Sequence, residues 1–156
     1  MLFRSEKLWA GRWLCPVEDY VILVDYGQVK VVGGQRGSRS NSTLLYTIPG
    51  EPVRAPASGV VVLAQNLALT GNTVVIDHGC GMRSYLYGLA DLHVQKGQTV
   101  AQGDVVGYVG TTGRSTGNHL HFEIRVNGSR TDPLNYFSDL TLYYRSGGQK
   151  VQLDLS

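Results

Sequence analysis

Several features that would point to familiar protein classes are missing from this sequence. It has only two cysteines and no CxxC motif, which excludes a zinc site built on that motif. It has no run of about 18 apolar residues, so no segment is predicted to span a membrane. Charged residues make up 17% of the chain and the net charge is +2, a balance too mild to predict nucleic-acid binding.

The amino-terminal sequence also lacks the pattern of a signal peptide. Arg12, Glu18 and Asp19 interrupt the apolar run early in the chain, so an exported protein would carry its signal or anchor outside this sequence. Cys15 and Cys80 could form a disulfide in an oxidising compartment or remain thiols, and the sequence leaves both possibilities open.

Glycine and short extended segments dominate what is present. The 156 residues include 20 glycines and show little helical periodicity, which predicts a single turn-rich, all-β domain. Short helical turns are expected at Gln65–Leu69 and around Pro133–Tyr136, and the polar stretch Gly33–Ser42 is expected to be a mobile loop. The predicted strands are Tyr20–Asp25 and Val29–Val32 around the turn Tyr26-Gly27, then Thr43–Ile48, Val53–Ala55, Gly59–Ala64, Thr73–Asp77, Arg83–Tyr87, Thr99–Val100, Val105–Val109 and His119–Val126.

A weak internal repeat is visible in the middle of the chain. The segment from Pro49 to Val61 resembles the segment from Lys96 to Val106, since both place glycine at a corner and valine three residues later. This similarity predicts two related β-hairpin units packed together. Chance similarity in a chain rich in glycine and valine is the alternative.

The strand His119–Val126 separates its side chains cleanly by parity. Leu120, Phe122, Ile124 and Val126 share one face, which is predicted to be core. The other face carries two histidines followed by an acid and an arginine, and this pattern predicts a functional groove as readily as a structural surface. Its members are His119, His121, Glu123 and Arg125. His78, which ends the strand Thr73–Asp77, is expected to be structural or exposed.

A long stretch around this strand resembles the lysostaphin/LytM-type zinc metallopeptidase family. The motifs are Gly103–Glu123 with its His119-Leu120-His121, the upstream Val53–Val61 and Gly71–Gly79, and the closing Asp132–Tyr136. The resemblance covers about residues 44–137. It implies an all-β fold with a LytM-like antiparallel sheet groove, and it divides the chain into residues 1–43, 44–137 and 138–156.

Active members of that family cut peptide cross-bridges in bacterial cell walls with a catalytic zinc. The resemblance implies three protein ligands of the types His, Asp and His, with a fourth position open for water. By this resemblance His121 is the last zinc ligand, and His119 is the catalytic histidine that would assist the water or stabilise the oxyanion.

This sequence departs from the family pattern where the other ligands belong. Counting back from Pro52-Val53 puts Ser40 at the histidine ligand and Leu44 at the aspartate ligand. From Gly27 to Ile48 there is no His, Asp, Glu or Cys, so shifting the register does not supply a ligand. The family's Tyr-x-His-Leu motif also lacks its histidine, whose position falls on Leu89 or, two residues earlier, on Tyr87.

We therefore interpret the chain as a degenerate member of the family, and we expect it to bind no zinc cofactor and to be catalytically inactive. The retained groove, lined by His119, His121, Glu123, Arg125 and Tyr87, is expected to bind peptidoglycan or another envelope protein as a scaffold or activator. The family resemblance implies an extracytoplasmic location in the cell envelope.

Two other readings remain open. An active zinc endopeptidase would have to recruit ligands from Asp25, Glu51 or His93. A biotinyl or lipoyl carrier domain shares the paired hairpins, but it needs a modifiable lysine at a hairpin tip, and Lys96 lacks the flanking residues of such a site.

Overall fold

The structure is a computed structural model that describes residues 6–17, 21–24, 29–32, 35–39, 43–46, 50–110, 119–132, 136, 143–146 and 149–152. These residues form strands joined by turns, as predicted for an all-β protein. In chain order the strands are β1 (Val21–Val24), β2 (Val29–Val32), β3 (Gln35–Arg39), β4 (Thr43–Tyr46), β5 (Pro52–Arg54), β6 (Gly59–Leu67), β7 (Gly71–Gly79), β8 (Met82–Leu92), β9 (Thr99–Val100), β10 (Val105–Val109), β11 (His119–Val126), β12 (Ser129–Thr131), β13 (Tyr143–Ser146) and β14 (Gln149–Gln152).

One antiparallel sheet contains ten of these strands and carries the predicted site. Its main path runs β1-β4-β11-β8-β7-β6-β9, with β10 joined to β5 and β8, and β12 joined to β11. The long hairpins β6–β7 and β7–β8 supply its centre, because their tight turns place each strand beside the next along the chain. The pairs β2–β3 and β13–β14 form two further two-stranded sheets.

The sequence predicted several strands with the bounds that the structure has. These are β2, β9, β10 and β11. Strands β6, β7 and β8 are each longer than predicted, because hairpin pairing continues through polar residues that the apolar pattern did not include. Asn66, for example, lies opposite Asn72 in the β6–β7 register and donates its side-chain N–H to the Asn72 side-chain oxygen at 3.0 Å.

Three predictions of local structure were wrong. Gln65–Leu67 belongs to β6 rather than to a helical turn, because these residues pair with β7. Gln35–Arg39, predicted to be part of a loop, forms β3 against β2, since backbone pairing does not require apolar side chains. Strands β1 and β2 do not pair across Tyr26-Gly27, since β1 pairs with β4. The helical turn expected around 133–136 lies mostly outside the described residues.

The two repeated segments pack against each other as predicted, but neither is a hairpin, because β5 does not pair with β6 and β9 does not pair with β10. Strand β5 of the first unit pairs with β10 of the second, and β6 of the first pairs with β9 of the second. The exchange is symmetric in its hydrogen bonds. Ala55 donates to the Asp104 carbonyl and accepts from Gly103 N–H, while Val61 donates to the Gln98 carbonyl and accepts from Gly97 N–H.

The hydrophobic core is built from alternating positions of the central strands. Phe122, Ile76 and Leu86 are fully buried there, together with Leu89, Leu120 and Ile124. Each such side chain contributes about 1.5–3 kcal/mol relative to exposure. Trp13 and Val17 belong to the same core, so the amino-terminal segment packs against the region that resembles the peptidase family.

The amino-terminal segment 6–17 is held to the sheet by backbone hydrogen bonds at several points. Leu8 N–H donates to the His78 carbonyl at 2.9 Å, and Leu14 N–H donates to the Pro56 carbonyl at 2.8 Å. Gly79 has φ +85 where this segment crosses it, and a Cβ there would collide with the Glu6 carbonyl oxygen. The close approach therefore requires glycine at this position.

Two features that the sequence left open are visible in the described residues. Cys15 and Cys80 are not joined by a disulfide, with Cys15 partly buried and Cys80 exposed. Within the part of the chain that the structure describes, no helix is long and apolar enough to cross a membrane.

His78 has the structural role expected for it. Its ring is fully buried, 4.5 Å from the Trp13 ring between centroids. Nδ1 lies 2.9 Å from the Ser58 carbonyl oxygen and Nε2 lies 2.8 Å from the Ser84 hydroxyl. A carbonyl can only accept, so Nδ1 carries the proton and the neutral ring accepts from Ser84 through Nε2. Burial lowers the pKa of His78 to about 4, although the Ser58 hydrogen bond and the Asp77 charge oppose this effect.

Acidification should therefore destabilise the fold through His78. The unfolded chain binds a proton near pH 6.5 and the folded protein only near pH 4, so stability is full above pH 6.5 and falls as the pH approaches 4. We expect this group alone to lower the free energy of unfolding by about 3 kcal/mol over that interval.

Chemical denaturation of the wild type and of a His78→Gln variant at several pH values measures this contribution. The variant should be less stable at neutral pH, and its stability should fall less steeply between pH 6.5 and 4. Equal slopes for the two proteins would show that His78 is not the group responsible.

Candidate functional site

The strand with the two predicted site histidines lies in the interior of the sheet, between β4 and β8. His121 is opposite Leu44 of β4 on one side and opposite Tyr87 of β8 on the other. His119 is opposite Tyr46 of β4. Leu44, at the expected position of the aspartate ligand, is therefore the direct cross-strand neighbour of His121. Ser40, at the expected position of the histidine ligand, lies outside the described residues.

The two faces of β11 differ in the way its alternating sequence predicts. Leu120, Phe122 and Ile124 are fully buried in the hydrophobic core. On the opposite face His121 and Arg125 are partly exposed. Glu123, between them, is 5% exposed and lies beneath its neighbours. The polar face thus has a buried carboxylate with partly exposed groups around it.

Tyr87 packs against His121 across the strand pair. The two ring centroids are 5.2 Å apart with an angle of 71° between the planes, an edge-to-face contact. The Tyr87 hydroxyl donates a hydrogen bond of 3.1 Å to Glu123 Oε2. Burial and the nearby Glu123 carboxylate raise the pKa of Tyr87 well above its usual value, so the phenol stays protonated and remains a donor.

Two arginines complete the environment of the Glu123 carboxylate. Arg125 donates to Oε2 through Nε at 2.9 Å and through Nη2 at 2.7 Å. Arg130 of β12 donates to Oε1 through Nε at 3.1 Å. Burial lowers the pKa of Arg125, but the hydrogen bond and charge of Glu123 outweigh it and raise that pKa above its usual value. The buried carboxylate is therefore paired and hydrogen-bonded on both oxygens.

We call Tyr87, Glu123, Arg125 and Arg130 the Glu123 network. Tyr85 lies beside this network and adds an aromatic surface. The Arg125 guanidinium carbon lies 4.2 Å from the Tyr85 ring centroid, within the range of a cation–π contact. The Tyr85 and Tyr87 rings are stacked at 6.2 Å with 28° between their planes. Both tyrosine side chains lie on the same side of the sheet as the polar face of β11, since Tyr85 is opposite Glu123 and Tyr87 is opposite His121.

The described cross-strand neighbours of His121 supply no zinc ligand. A catalytic zinc needs three protein ligands, and the cross-strand neighbours of His121 are a leucine and a tyrosine. Among the residues that the structure describes, no three His, Cys, Asp or Glu side chains form a group that could hold a metal ion.

In the described part of the chain, the candidate substitute ligand His93 has other contacts, and the positions expected for the family's histidine hold no histidine. His93 Nε2 lies 2.9 Å from Asp91 Oδ1, and its ring contacts Tyr108 at 4.9 Å between centroids. Leu89 is fully buried in the core. Asp25 lies outside the described residues. The segment from Tyr87 to Leu89 contains no histidine in any register.

The comparison with protein families identifies the class. Residues 38–133 match the model of peptidase family M23, so the chain belongs to that family. This confirms the resemblance to lysostaphin/LytM-type peptidases and the all-β fold that it implied.

Two of the relatives are named as peptidases. The DD-carboxypeptidase/endopeptidase Mpg of Neisseria meningitidis is 41% identical over 98 residues, which cover 62% of this chain and 23% of Mpg. The peptidoglycan DD-endopeptidase ShyA of Vibrio cholerae is 48% identical over 80 residues, which cover 51% of this chain and 18% of ShyA. The chain thus spans about a quarter or less of these two relatives.

A solved structure of the SpoIIQ-SpoIIIAH pore forming complex has a chain with the same fold. It superposes with a TM-score of 0.71 at 26% sequence identity, and the match covers 84% of this chain and 92% of that chain. The match to the family model shows the family to which this chain belongs. Both peptidases and a chain of a pore forming complex are similar to it.

Arg130 of the Glu123 network and the neighbouring Tyr85 were not predicted from the sequence to belong to the site. Arg130 could have been found from the Asn127-Gly128 hairpin, because a two-residue turn there places Arg130 opposite Arg125. Tyr85 precedes Tyr87 by two residues and so shares its face of β8. Finding both residues requires the turn geometry and the strand parity together.

Removing the Tyr87 hydroxyl should destabilise the protein measurably. A Tyr87→Phe variant leaves the ring against His121 but loses a hydrogen bond to a buried carboxylate. We expect the free energy of unfolding to fall by about 1–2 kcal/mol in chemical denaturation.

Tyr85→Phe is the matched control. Its hydroxyl has no hydrogen bond among the described residues, so a change within about 0.5 kcal/mol is expected. Similar losses in both variants would contradict the role given to the Tyr87 hydroxyl.

Proposed function

We propose that this chain is a non-catalytic M23 domain of the bacterial cell envelope that binds peptidoglycan at the polar face of β11 and β8. One observation carries the proposal. His121, the expected last zinc ligand, lies between Leu44 and Tyr87, and neither is a ligand of the expected kind. The strand that would carry the last zinc ligand is present, but its cross-strand neighbours in the described part of the chain offer no donor atoms of the expected His or Asp type.

The chemistry of the expected ligand positions supports this proposal. Leucine has no donor atom, and a neutral serine hydroxyl is a poor zinc ligand. With His121 as the single remaining ligand, a bound water would not be held and acidified as a catalytic zinc requires. The Tyr87 ring instead contacts His121 and is itself fixed by Glu123.

The relatives support peptidoglycan as the ligand class. ShyA is a peptidoglycan DD-endopeptidase, and its similarity to this chain covers half of the sequence. A domain that loses its metal can keep the face that contacts the substrate, because binding and bond cleavage depend on different groups. The same relationship supports an extracytoplasmic location.

A second candidate function is binding of a partner protein in the envelope. It is favoured by the SpoIIQ-SpoIIIAH complex, in which a chain of this fold assembles with another protein. The alternative function, an active zinc endopeptidase, would require metal ligands from segments such as the one that contains Asp25.

Isolated peptidoglycan sacculi distinguish these functions. We expect the purified protein to sediment with sacculi and to release no new muropeptides, with or without added zinc, because the donors for a catalytic metal are missing. ShyA is the positive control for cleavage. Muropeptide release that a chelator stops would overturn the non-catalytic assignment, and absence of sedimentation would favour the partner-protein function.

Restoring the expected ligands should restore metal binding. In a Ser40→His/Leu44→Asp double variant, we expect zinc affinity to rise at least about a hundredfold, since even outer-shell changes at metal sites alter affinity by about 10–100-fold. Calorimetric titration of zinc into the metal-free variant measures this.

Adding His121→Ala to the double variant is the control and should abolish the gain. A gain that survives the third substitution would show that zinc binds elsewhere. No gain in the folded double variant would argue that His121 is not at the position of the family ligand.

A further inference from the structure

The Arg125 guanidinium is fixed from two directions. Its Nε and Nη2 atoms donate to Glu123 Oε2, and its plane lies near the Tyr85 ring. A free arginine side chain must give up rotamer entropy to bind a ligand. Here folding has already ordered the side chain, so binding would not incur that cost.

One edge of this guanidinium has no partner among the residues that the structure describes. A guanidinium has five N–H donors in a rigid fork and can present two N–H groups along an edge to a carboxylate. Glu123 takes the Nε/Nη2 edge. The Nη1/Nη2 edge makes no hydrogen bond among the described residues, and the Arg125 side chain is 23% exposed.

The charges around this edge favour an anion. Glu123 and Asp77 are both buried, whereas the side chains of Arg125 and Arg130 are 23% and 41% exposed. Arg83, opposite Arg125 in the register, is buried and pairs with Asp77 at 3.4 Å. Of these five charged side chains, the two that are partly exposed are therefore both arginines.

We propose that Arg125 binds the terminal α-carboxylate of a peptidoglycan stem peptide through its Nη1/Nη2 edge. This inference rests on the proposed function and specifies the part of the ligand that is recognised. Arginine suits a carboxylate better than lysine does, because its planar fork makes two parallel hydrogen bonds where an ammonium makes a point contact.

The distance from His121 to Arg125 along the polar face is close to the length of a short extended peptide. His121 and Arg125 are four residues apart on one strand, about 13 Å at the usual rise. An extended peptide of about four residues spans the same distance. With its carboxylate at Arg125, the preceding residues would lie over Tyr85, Tyr87 and His121, whose side chains are partly exposed.

Two peptides that differ only at the terminus test the inference on the wild-type protein. They are diacetyl-L-lysyl-D-alanyl-D-alanine and its carboxy-terminal amide, titrated while the arginine Nε–H signals are followed by NMR. We expect the acid to bind about tenfold more tightly than the amide, since hydrogen bonds between two charged groups are stronger than those to a neutral amide. We also expect the acid to shift the Arg125 signal.

An Arg125→Lys variant keeps the charge but loses the fork, and it should reduce the preference for the acid to about twofold or less. Lys96→Gln removes an exposed cation from a distant turn and should keep the preference. Thermal unfolding of both variants shows whether they are folded at the titration temperature. If Arg125→Lys does not fold, the acid and amide comparison on the wild type decides alone.

Every outcome bears on the inference. Equal affinity for the two peptides, or a preference that survives Arg125→Lys, would overturn it while leaving peptidoglycan binding intact. If neither peptide binds but the protein still sediments with sacculi, carboxylate recognition is wrong and the proposed function stands. If it fails to sediment as well, both are wrong.

Discussion

The antiparallel register of β11 between β4 and β8 is the constraint on which the rest of the domain depends. It places Leu120, Phe122 and Ile124 in the core, and it places His121 opposite Leu44 and Tyr87. A slip of one residue would exchange the two faces and bury the histidine and arginine side chains. Burial of the apolar face therefore fixes which residues can surround His121.

The same register makes the Glu123 carboxylate the centre of the polar face. A buried charge is costly unless it is paired and hydrogen-bonded, and Tyr87, Arg125 and Arg130 satisfy this requirement. In doing so they become ordered themselves. The Tyr87 ring is held against His121, so this network accounts both for what occupies the space beside His121 and for the fixed position of Arg125.

The fold and much of the site could be predicted from the sequence, because strand patterns and residue types carry most of the information. Strand β11 was predicted with its observed bounds because its apolar and polar residues alternate without interruption. Strand β3 was missed because polar side chains give no such signal when only backbone pairing is needed. Burial of Glu123 was not predicted, since it depends on Arg130 reaching across the Asn127-Gly128 hairpin. The prediction that Ser40 and Leu44 supply no zinc ligand depends on residue type alone, and Ser40 lies outside the described residues.

The central claim is that this M23 domain keeps the strands of a zinc site without its donor set. Equilibrium dialysis of the metal-free wild type against zinc, followed by metal analysis, tests it most directly. The account predicts no stoichiometric binding tighter than about micromolar, roughly −8 kcal/mol. One zinc per chain bound more tightly than that, and lost in His121→Ala, would contradict it.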